Sequence, residues 1–415
     1  MAEPRKTKLS IDYNGKKLKD KINDYIESFS YTDVASGEAD SISASLHNID
    51  MKWLNEYMPE KGDSILANIV IKNWIKDGDK KTFKCGSFTI DDISFSGRPL
   101  SGTIGAVSVP ADADFMSTKR TKTWRNVTIK EIASDIAKNA GITLYYEASS
   151  IKISELEQDN NDSSFLYSLC QKYGLAMKVF NSKLIIFDEA RYEAKNPVAT
   201  INEKDIKGSW SYNTTILGSY TGARISYTDP DSDETITVQV GSEGRMYEFN
   251  AQADSKYDAE LQATAKVNQA NRSITTMTIK IMANTAIVAT SVIEITGLGK
   301  INGMYYVEKV KHIVSSSGYD MSLTLHKILN RIATKSANAV STALSGYTGP
   351  YTVKQGDTLW GLATQFYGNR NIQSNVNKLY NANKDVIEST AKARGLANSD
   401  NGHWIFPGTV LNIPS

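Results

Sequence analysis

Four histidines, two cysteines and a few acidic clusters are the residues of this chain whose types could support chemistry. The histidines are His47, His312, His326 and His403, and no two stand at a metal-ligand spacing. His312 and His326 fall in alternating strand-like stretches, where packing or surface roles are expected. Two cysteines, Cys85 and Cys170, cannot build a disulfide framework or a Cys-rich metal site. Cys170 lies on an apolar helical stripe, the setting of an inert buried thiol. Neither cysteine carries the surroundings of a papain-like wall peptidase. Asp229-Pro-Asp231-Ser-Asp233 opens like a calcium loop, but Glu234 takes the glycine position and Val240 the last ligand position. A solvated turn is the reading that remains. Gly297-Leu-Gly299 before Gly303 lies between strands and reads as hairpin glycines rather than a phosphate loop. Asp91-Asp92 sits in a strand, so one of the two must point outward, and no motif makes them a glycosidase pair. The expectation is a non-enzyme with no catalytic residue, metal or cofactor.

Composition narrows the partners. Lys+Arg is 47 against Asp+Glu 46, a net charge of +1. That balance gives no footprint for a polyanion, so no nucleic-acid specificity is expected. Apolar residues are 40% and charged residues 22%, as in a globular chain. No stretch approaches about 18 unbroken apolar residues, so no membrane insertion is expected. Met1 to Asp20 is polar and lacks a signal-peptide core. With so few cysteines, the expected folding compartment is a reducing cytoplasm. A length of 415 residues suggests about three domains.

The elements that must position any site divide into a mainly β body and a compact tail. Residues 1–117 read as strands and turns: Thr7 to Tyr13, Ser41 to Leu46, Ile65 to Trp74, Lys81 to Phe95 and Gly102 to Val109, with a short helix over Asp50 to Tyr57. Short strands between turn signals predict a β-barrel or sandwich. Residues 118–195 read as an α+β insert. Thr128 and Glu131 form a capping box for a helix to Ala140. A second helix spans Ser163 to Tyr173, and a hairpin turns at Asn181-Ser182. Residues 196–332 return to β, with strands at Ser209 to Tyr212, Gly218 to Thr228, Glu234 to Val240, Gly244 to Phe249, Thr275 to Met282, Ala286 to Ile295, Met304 to Val314 and Tyr319 to Lys327. One helix, Lys256 to Arg272, interrupts them.

The two β regions echo one another. Gly86-Ser-Phe88-Thr-Ile90-Asp91-Asp92-Ile93 and Gly303-Met-Tyr305-Tyr306-Val307-Glu308-Lys309-Val310 share the form Gly-x-aromatic-x-aliphatic-acid-x-aliphatic. Two copies of one barrel are expected. Residues 333–349, rich in Ser, Ala and Thr, read as a linker.

Residues 350–415 carry the strongest motif. Tyr351-Thr-Val353-Lys-Gln355-Gly356-Asp357-Thr358-Leu359-Trp360-Gly-Leu362-Ala363 reads as strand, turn and helix. Ile372, Val376, Leu379 and Tyr380 stripe a second helix. Ile405-Phe406-Pro407-Gly408-Thr-Val410-Leu411-Asn412-Ile413 closes with a turn and a strand. This strand-helix-helix-strand wording resembles the LysM domain, which binds peptidoglycan and chitin fragments. It departs from the usual pattern by the added segment Lys384 to Gly402. The resemblance implies a shallow groove with Gly356, Asp357, Thr358 and Leu359 on one side and Ile405, Phe406 and Pro407 on the other. Asn381 and Asn383 are candidate contributors at the end of the second helix. Trp404 suits either a sugar face or the core. Sugar binding and protein docking both remain open.

The body resembles the baseplate hub of contractile phage tails and tail-like bacteriocins, the late control protein D family. The wording that carries this is Val127-Thr128-Ile129-Lys130-Glu131-Ile132-Ala133 and Gly299 to His312. The resemblance implies two tail-tube-like barrels in one chain and a homotrimer that adapts a hexameric tail tube protein to a trimeric spike protein. Implied neighbours are baseplate wedge or sheath proteins, a tape measure protein in the passage, and peptidoglycan at the LysM groove. It places the chain in a virion tail or released tail-like particle. The alternative functions are a cell-wall-binding protein and a wall hydrolase.

Overall fold

A computed structural model of the chain describes residues 3–14, 16–17, 25–55, 57–74, 76–108, 114–229, 232–333, 348–353, 357–367, 372–402 and 404–414. Strands dominate, as the alternating stretches require. The first β region contributes β1 (Lys6–Tyr13), β2 (Lys16–Lys17), β3 (Ile26–Val34), β4 (Ser41–His47), β5 (Ser64–Lys72), β6 (Lys80–Ser96) and β7 (Ser101–Val107). The middle holds α1 (Asp114–Ser117), β8 (Lys119–Thr128), α2 (Ile129–Asn139), β9 (Thr143–Glu147), β10 (Lys152–Asn161), α3 (Asp162–Lys172), β11 (Leu175–Phe180), β12 (Lys183–Asp188) and α4 (Glu189–Glu193). The second β region supplies β13 (Ala199–Asn202), β14 (Ser211–Thr214), β15 (Gly222–Thr228), β16 (Thr235–Gly241), β17 (Met246–Asn250), α5 (Lys256–Arg272), β18 (Thr275–Met282), β19 (Val292–Thr296), β20 (Gly303–Ser315) and β21 (Gly318–Lys327). The tail adds β22 (Gly349–Thr352), helices Leu359–Tyr367 and Ile372–Ala393, and β23 (Val410–Ile413).

Two compact units result, Met1–Tyr220 with Ala265–Asn330, and Thr221–Thr264 with Arg331–Ser415. In the first, both β regions enter one sheet, in the order β14-β18-β21-β20-β3-β4-β7-β6-β5-β1-β2, with β19 on β20 and β13 on β19. The joint is antiparallel pairing of β3 with the second half of β20, Val34 opposite Lys309 through Ser28 opposite Ser315. One core runs across the joint and includes Phe29, Tyr31, Phe88, Ile90, Ile279, Tyr305, Val310 and Leu323. Two tail-tube-like barrels were expected. Among the described residues closure of either is not seen, and the pairing instead follows one open path, because β3 and β20 satisfy each other's edges.

The echo between the regions is structural. Gly86 and Gly303 both have positive φ, 110° and 146°. Pairing of β6 with β7 skips Asp91, and pairing of β20 with β21 skips Glu308. These bulges occupy the same place in the motif, one residue extra on the longer strand. Registers agree outward from there. Thr89 faces Val107, Val107 faces Ser41, and Ser41 faces Thr32. Tyr306 faces His326, His326 faces Thr276, and Thr276 faces Asn213. The strand order β3-β4-β7-β6-β5-β1 thus recurs as β14-β18-β21-β20-β19-β13. It places Phe29-Ser30-Tyr31-Thr32 in register with Trp210-Ser211-Tyr212-Asn213. The outermost pair differs: β1 is antiparallel to β5, whereas β13 is parallel to β19.

The middle segment hangs on its predicted caps. Thr128 N–H donates to Glu131 at 2.7 Å and Glu131 N–H donates to the Thr128 hydroxyl at 3.2 Å. This box starts α2, which buries Ile129, Ile132, Ala133, Ile136 and Ala137. Asn181 and Ser182 both take positive φ and turn the β11–β12 hairpin. From β11, Lys178 reaches the carboxylates of Asp33 and Asp40, the latter at 3.0 Å. All three side chains are nearly or fully buried. Burial pushes Asp40 up to about 6 while Lys178 opposes the rise. Burial acts to lower the Lys178 ammonium, but the two carboxylates outweigh it and hold it above its usual value. Tyr31 donates to Asp40 at 2.8 Å, and Ala289 N–H donates to Asp33 at 2.8 Å.

Several local expectations shift. The helix over Asp50 to Tyr57 is a single 3-10 turn, Lys52–Leu54, with Met51 left-handed before it. The strand expected over Ala286 to Ile295 begins only at Val292. β15, β16 and β17, expected in the second barrel, form their own sheet in the order β16-β15-β17.

Candidate binding groove of the C-terminal domain

The tail buries the stripe its sequence spaces out. Leu359, Leu362, Ala363 and Phe366 from one helix pack with Ile372, Leu379 and Ile387 from the next and Leu411 and Ile413 from β23. Thr358 caps the first helix, its hydroxyl accepting from Gly361 N–H at 2.9 Å. Asp357 accepts from the Tyr351 hydroxyl at 2.9 Å, which ties the turn to β22. Burial, then this carboxylate, pushes Tyr351 up to about 12. β22 and β23 pair from Gly349 opposite Ile413 to Thr352 opposite Val410. Beyond the ladder, Gly408 N–H donates to Val353 O and Val353 N–H donates to Thr409 O, both at 2.8 Å. The Phe406-to-Thr409 turn therefore adjoins Val353, just past β22.

The predicted site residues do not all stand together. Asp357 and Thr358 stand at the start of the first helix, Phe406 and Pro407 on the Phe406-to-Thr409 turn, and Ile405 just before that turn. Thr358 and Pro407 are exposed, and Ile405 and Phe406 are half-buried. Leu359 is buried, yet it borders the same place, since a Cβ on Gly402 would stand 3.3 Å from it. Gly356 lies outside the described residues. Asn383 belongs to the scaffold: its amide donates to Leu379 O and Asn412 O, each at 2.8 Å, and accepts from Asn412 N–H at 2.6 Å. Asn381 is exposed on the second helix, two residues before it.

The added segment is mostly helix. Ile372–Ala393 runs through Lys384 without a break and buries Ile387 and Ala391. Its Glu388 accepts from the Tyr380 hydroxyl at 2.8 Å and from Ser399 N–H at 3.1 Å. These bonds, Ser399 first, hold Glu388 below the usual carboxylate range. They pin the loop that leads to Gly402. At the helix end, the Arg394 guanidinium stands 4.8 Å over the Phe406 ring. Trp404 is 49% exposed next to these residues. This part of the domain offers backbone, the half-buried Ile405 and Phe406 and the exposed Trp404 ring. Such a surface suits an amide-bearing sugar or a peptide edge. Sequence reasoning missed Glu388, Ser399 and Arg394. The Asp400-Asn401-Gly402 run, all three at positive φ, was the available signal for a tight turn there.

Elsewhere, the chemistry-bearing types are committed to packing. His312 is fully buried, with Nδ1 2.7 Å from the Tyr319 hydroxyl and its ring stacked on Tyr31. Burial pushes it down to about 4, so it is neutral. His326 is buried between Glu193 at 3.1 Å and Glu308 at 3.0 Å. Burial alone would lower it, but both carboxylates raise it above its usual value. Cys170 is buried, and burial pushes its thiol up to about 12. Among the described residues no group of three or more His, Cys, Asp or Glu could hold a metal ion.

Against known proteins, residues 351–414 match the LysM domain model. Residues 351–414 are a LysM domain. Over 64 residues the chain is 45% identical to an uncharacterized Bacillus subtilis protein, YqbP, covering 15% of this chain and 26% of that one. Over 181 residues it is 29% identical to a probable baseplate hub protein of Escherichia phage 186, covering 42% of this chain and 43% of that one. The chain thus spans less than half the length of either relative. Among solved structures, the 43 kDa tail protein of prophage MuSo2 from Shewanella oneidensis superposes with a TM-score of 0.59 at 9% identity. That match covers 78% of this chain and 98% of the tail protein. The fold is that of a phage tail protein, mainly β, followed by a LysM domain.

Proposed function

We propose that this chain is a structural baseplate hub, with no catalytic role, that adapts a hexameric tail tube to a trimeric spike as a homotrimer. The observation that carries it is the tail-protein fold combined with sequence similarity to a probable baseplate hub protein. The repeated strand order supports the adapter role, since three chains with two equivalent halves offer six similar surfaces. The domains follow the chain: tube-like β regions at 1–117 and 196–332, the α+β insert at 118–195, a linker at 333–349 and the tail at 350–415. Most of that linker, 334–347, lies outside the described residues. Assembly takes place in the bacterial cytoplasm. The test is purification with tube and spike proteins and a mass measurement of the chain within that complex. Three copies between tube and spike are expected; a chain that joins neither protein refutes the hub.

The LysM domain docks wedge or sheath-proximal proteins in this reading. Arg394 over Phe406 narrows one wall of the groove and adds charge where a protein surface can meet it. The exposed Trp404 favours the other reading, a peptidoglycan glycan stacked on an aromatic face. Deletion of residues 351–415 separates them. Failed baseplate or sheath assembly supports docking; normal particles that no longer adsorb to walls refute it and restore glycan binding.

A further inference from the structure

Lys178, Asp33 and Asp40 hold one amine and two carboxyls where water hardly reaches. Lys178 is 9% exposed, Asp33 5% and Asp40 0%. Lys178 Nζ contacts Asp33 Oδ1 and stands 3.0 Å from Asp40 Oδ1. The carboxyls are also held from behind. Asp33 Oδ2 accepts from Ala289 N–H at 2.8 Å, and Asp40 accepts from the Tyr31 hydroxyl at 2.8 Å and from Val34 N–H at 3.0 Å. The Phe180 ring lies 5.2 Å from the Lys178 nitrogen, and the buried Tyr31 and Cys85 feel both carboxylates.

The backbone fixes the approach of these groups. Just before Lys178, Met177 N–H donates to the Ser36 hydroxyl, and Met177 O accepts from that hydroxyl and from Gly37 N–H, all at 3.1 Å. β11 is thus tied to the chain that follows Asp33, one residue away from the amine. Reacting groups held in contact need no encounter, and that alone removes much of a barrier.

We propose that Lys178 and Asp33 condense to an intramolecular amide, with Asp40 as the proton carrier. The Nζ–Cγ bond forms and the Cγ–Oδ1 bond breaks. Of the three ammonium hydrogens, one stays on the amide nitrogen and two leave with Oδ1 as water. The charges of Lys178 and Asp33 cancel, and no oxidant or co-reactant is consumed. Oδ2 carries the negative charge of the tetrahedral intermediate, and Ala289 N–H already points at it. Asp40 takes a proton from the nitrogen and passes it to the departing oxygen, which restores Asp40. Burial raises Asp40 to about 6, a value suited to binding and releasing a proton near neutrality. Burial works against the Lys178 ammonium, yet the two carboxylates hold it above its usual value. The uncharged amine is therefore a minority form, and the amide grows slowly out of the ion cluster after folding. A site closed to water also protects the product from hydrolysis. The product ties β3 to β11 covalently.

The intact mass of the full-length chain, measured under denaturing conditions, tests this. Chain sampled soon after synthesis should carry the mass of its sequence. Held folded at neutral pH, it should convert to a species one water lighter. Digestion should then yield a branched peptide joining Asp33 and Lys178, and chain held in urea should yield none. A succinimide at Asp77-Gly78 would also cost one water, so the branched peptide decides. Lys178→Arg and Asp33→Ala should never give the branch. Asp40→Asn keeps both reactants and should slow the conversion by about a hundredfold or more. The parent's own mass decides even where a variant does not fold. A folded parent that stays at its sequence mass for weeks, or a water loss without the branch, overturns the proposal. A branch from Asp40 in place of Asp33, or an unchanged rate in Asp40→Asn, overturns the role given to Asp40.

Discussion

Replacing Lys178 with Met should destabilise the first unit. Lys178 is the cation that faces both Asp33 and Asp40, and the three groups are nearly out of water. Met preserves most of the stem's volume and removes the charge. The carboxylates keep Tyr31, Ala289 N–H and Val34 N–H as donors, but they lose their counter-ion. Breaking a buried pair on one side costs about 3–5 kcal/mol. The cost carries a pH signature. Asp40 is already raised to about 6 by burial, with Lys178 opposing. Without Lys178 it rises further. A carboxyl raised in the folded state lends full stability below its unfolded value, about 3.9, and that stability is lost as pH rises through the folded value. The variant should therefore be nearly as stable as the parent near pH 4 and weakest at pH 8. Urea denaturation followed by tryptophan fluorescence at pH 4 and pH 8 measures both. A loss under about 1 kcal/mol at pH 8, or an equal loss at both pH values, would refute the role assigned to the ion cluster. Adding Asp40→Asn to the variant should recover part of the loss.

Three further outcomes are expected. His312 falls from its usual 6.5 to about 4 on burial, so the unfolded chain binds its proton first as pH drops. Stability should decline between pH 6.5 and 4 by up to about 3 kcal/mol from this group, and His312→Gln should flatten that decline in pH-resolved denaturation. Asn383→Ala strips the clamp on Asn412 and should cost the LysM domain about 2–3 kcal/mol, read as faster hydrogen exchange in β23 with the sheet of the first unit unchanged. Gly86→Ala forces a side chain into φ 110° within 3.1 Å of Phe180; a loss of about 1–3 kcal/mol in denaturation is expected.

Much of the architecture was legible where local chemistry is self-contained. Thr128 and Glu131 announced α2 because a capping box involves only four residues. The helix read over Lys256 to Arg272 is α5, with the same bounds. The Gly86 and Gly303 motifs pointed to a repeat, since a glycine turn and a bulge leave a fixed wording. What was hidden depends on distant partners. β8, with the sequence KRTKTWRNVT, pairs among the described residues only with β10 and keeps most of its side chains in water, so it shows no alternation. The joint between β3 and β20 is main-chain pairing across nearly three hundred residues, which no periodicity reports. In the tail, the stripe of the second helix reads through Leu379 and resumes at Ile387. Asn383 stands between them, a polar residue on a core face, and it made the helix look finished. Its amide is buried because it clamps β23, which also explains why a candidate groove residue proved to be scaffold. The turn at Pro407-Gly408 was legible, since turn residues carry their own geometry.

The covalent link between the two halves changes how a ring would nucleate. With both halves on one polypeptide, the β3–β20 contact forms within the chain, at an effective concentration set by tether length rather than by expression level. In a ring of three such chains, two molecular encounters and one closure would complete a cycle that separated halves would reach only after five encounters and a closure. Growth depends less steeply on protein supply, and a half-ring cannot lose a single repeat by dissociation. A cell that makes few copies of a central component gains most from that arithmetic, because partial rings are the species that dilution removes first.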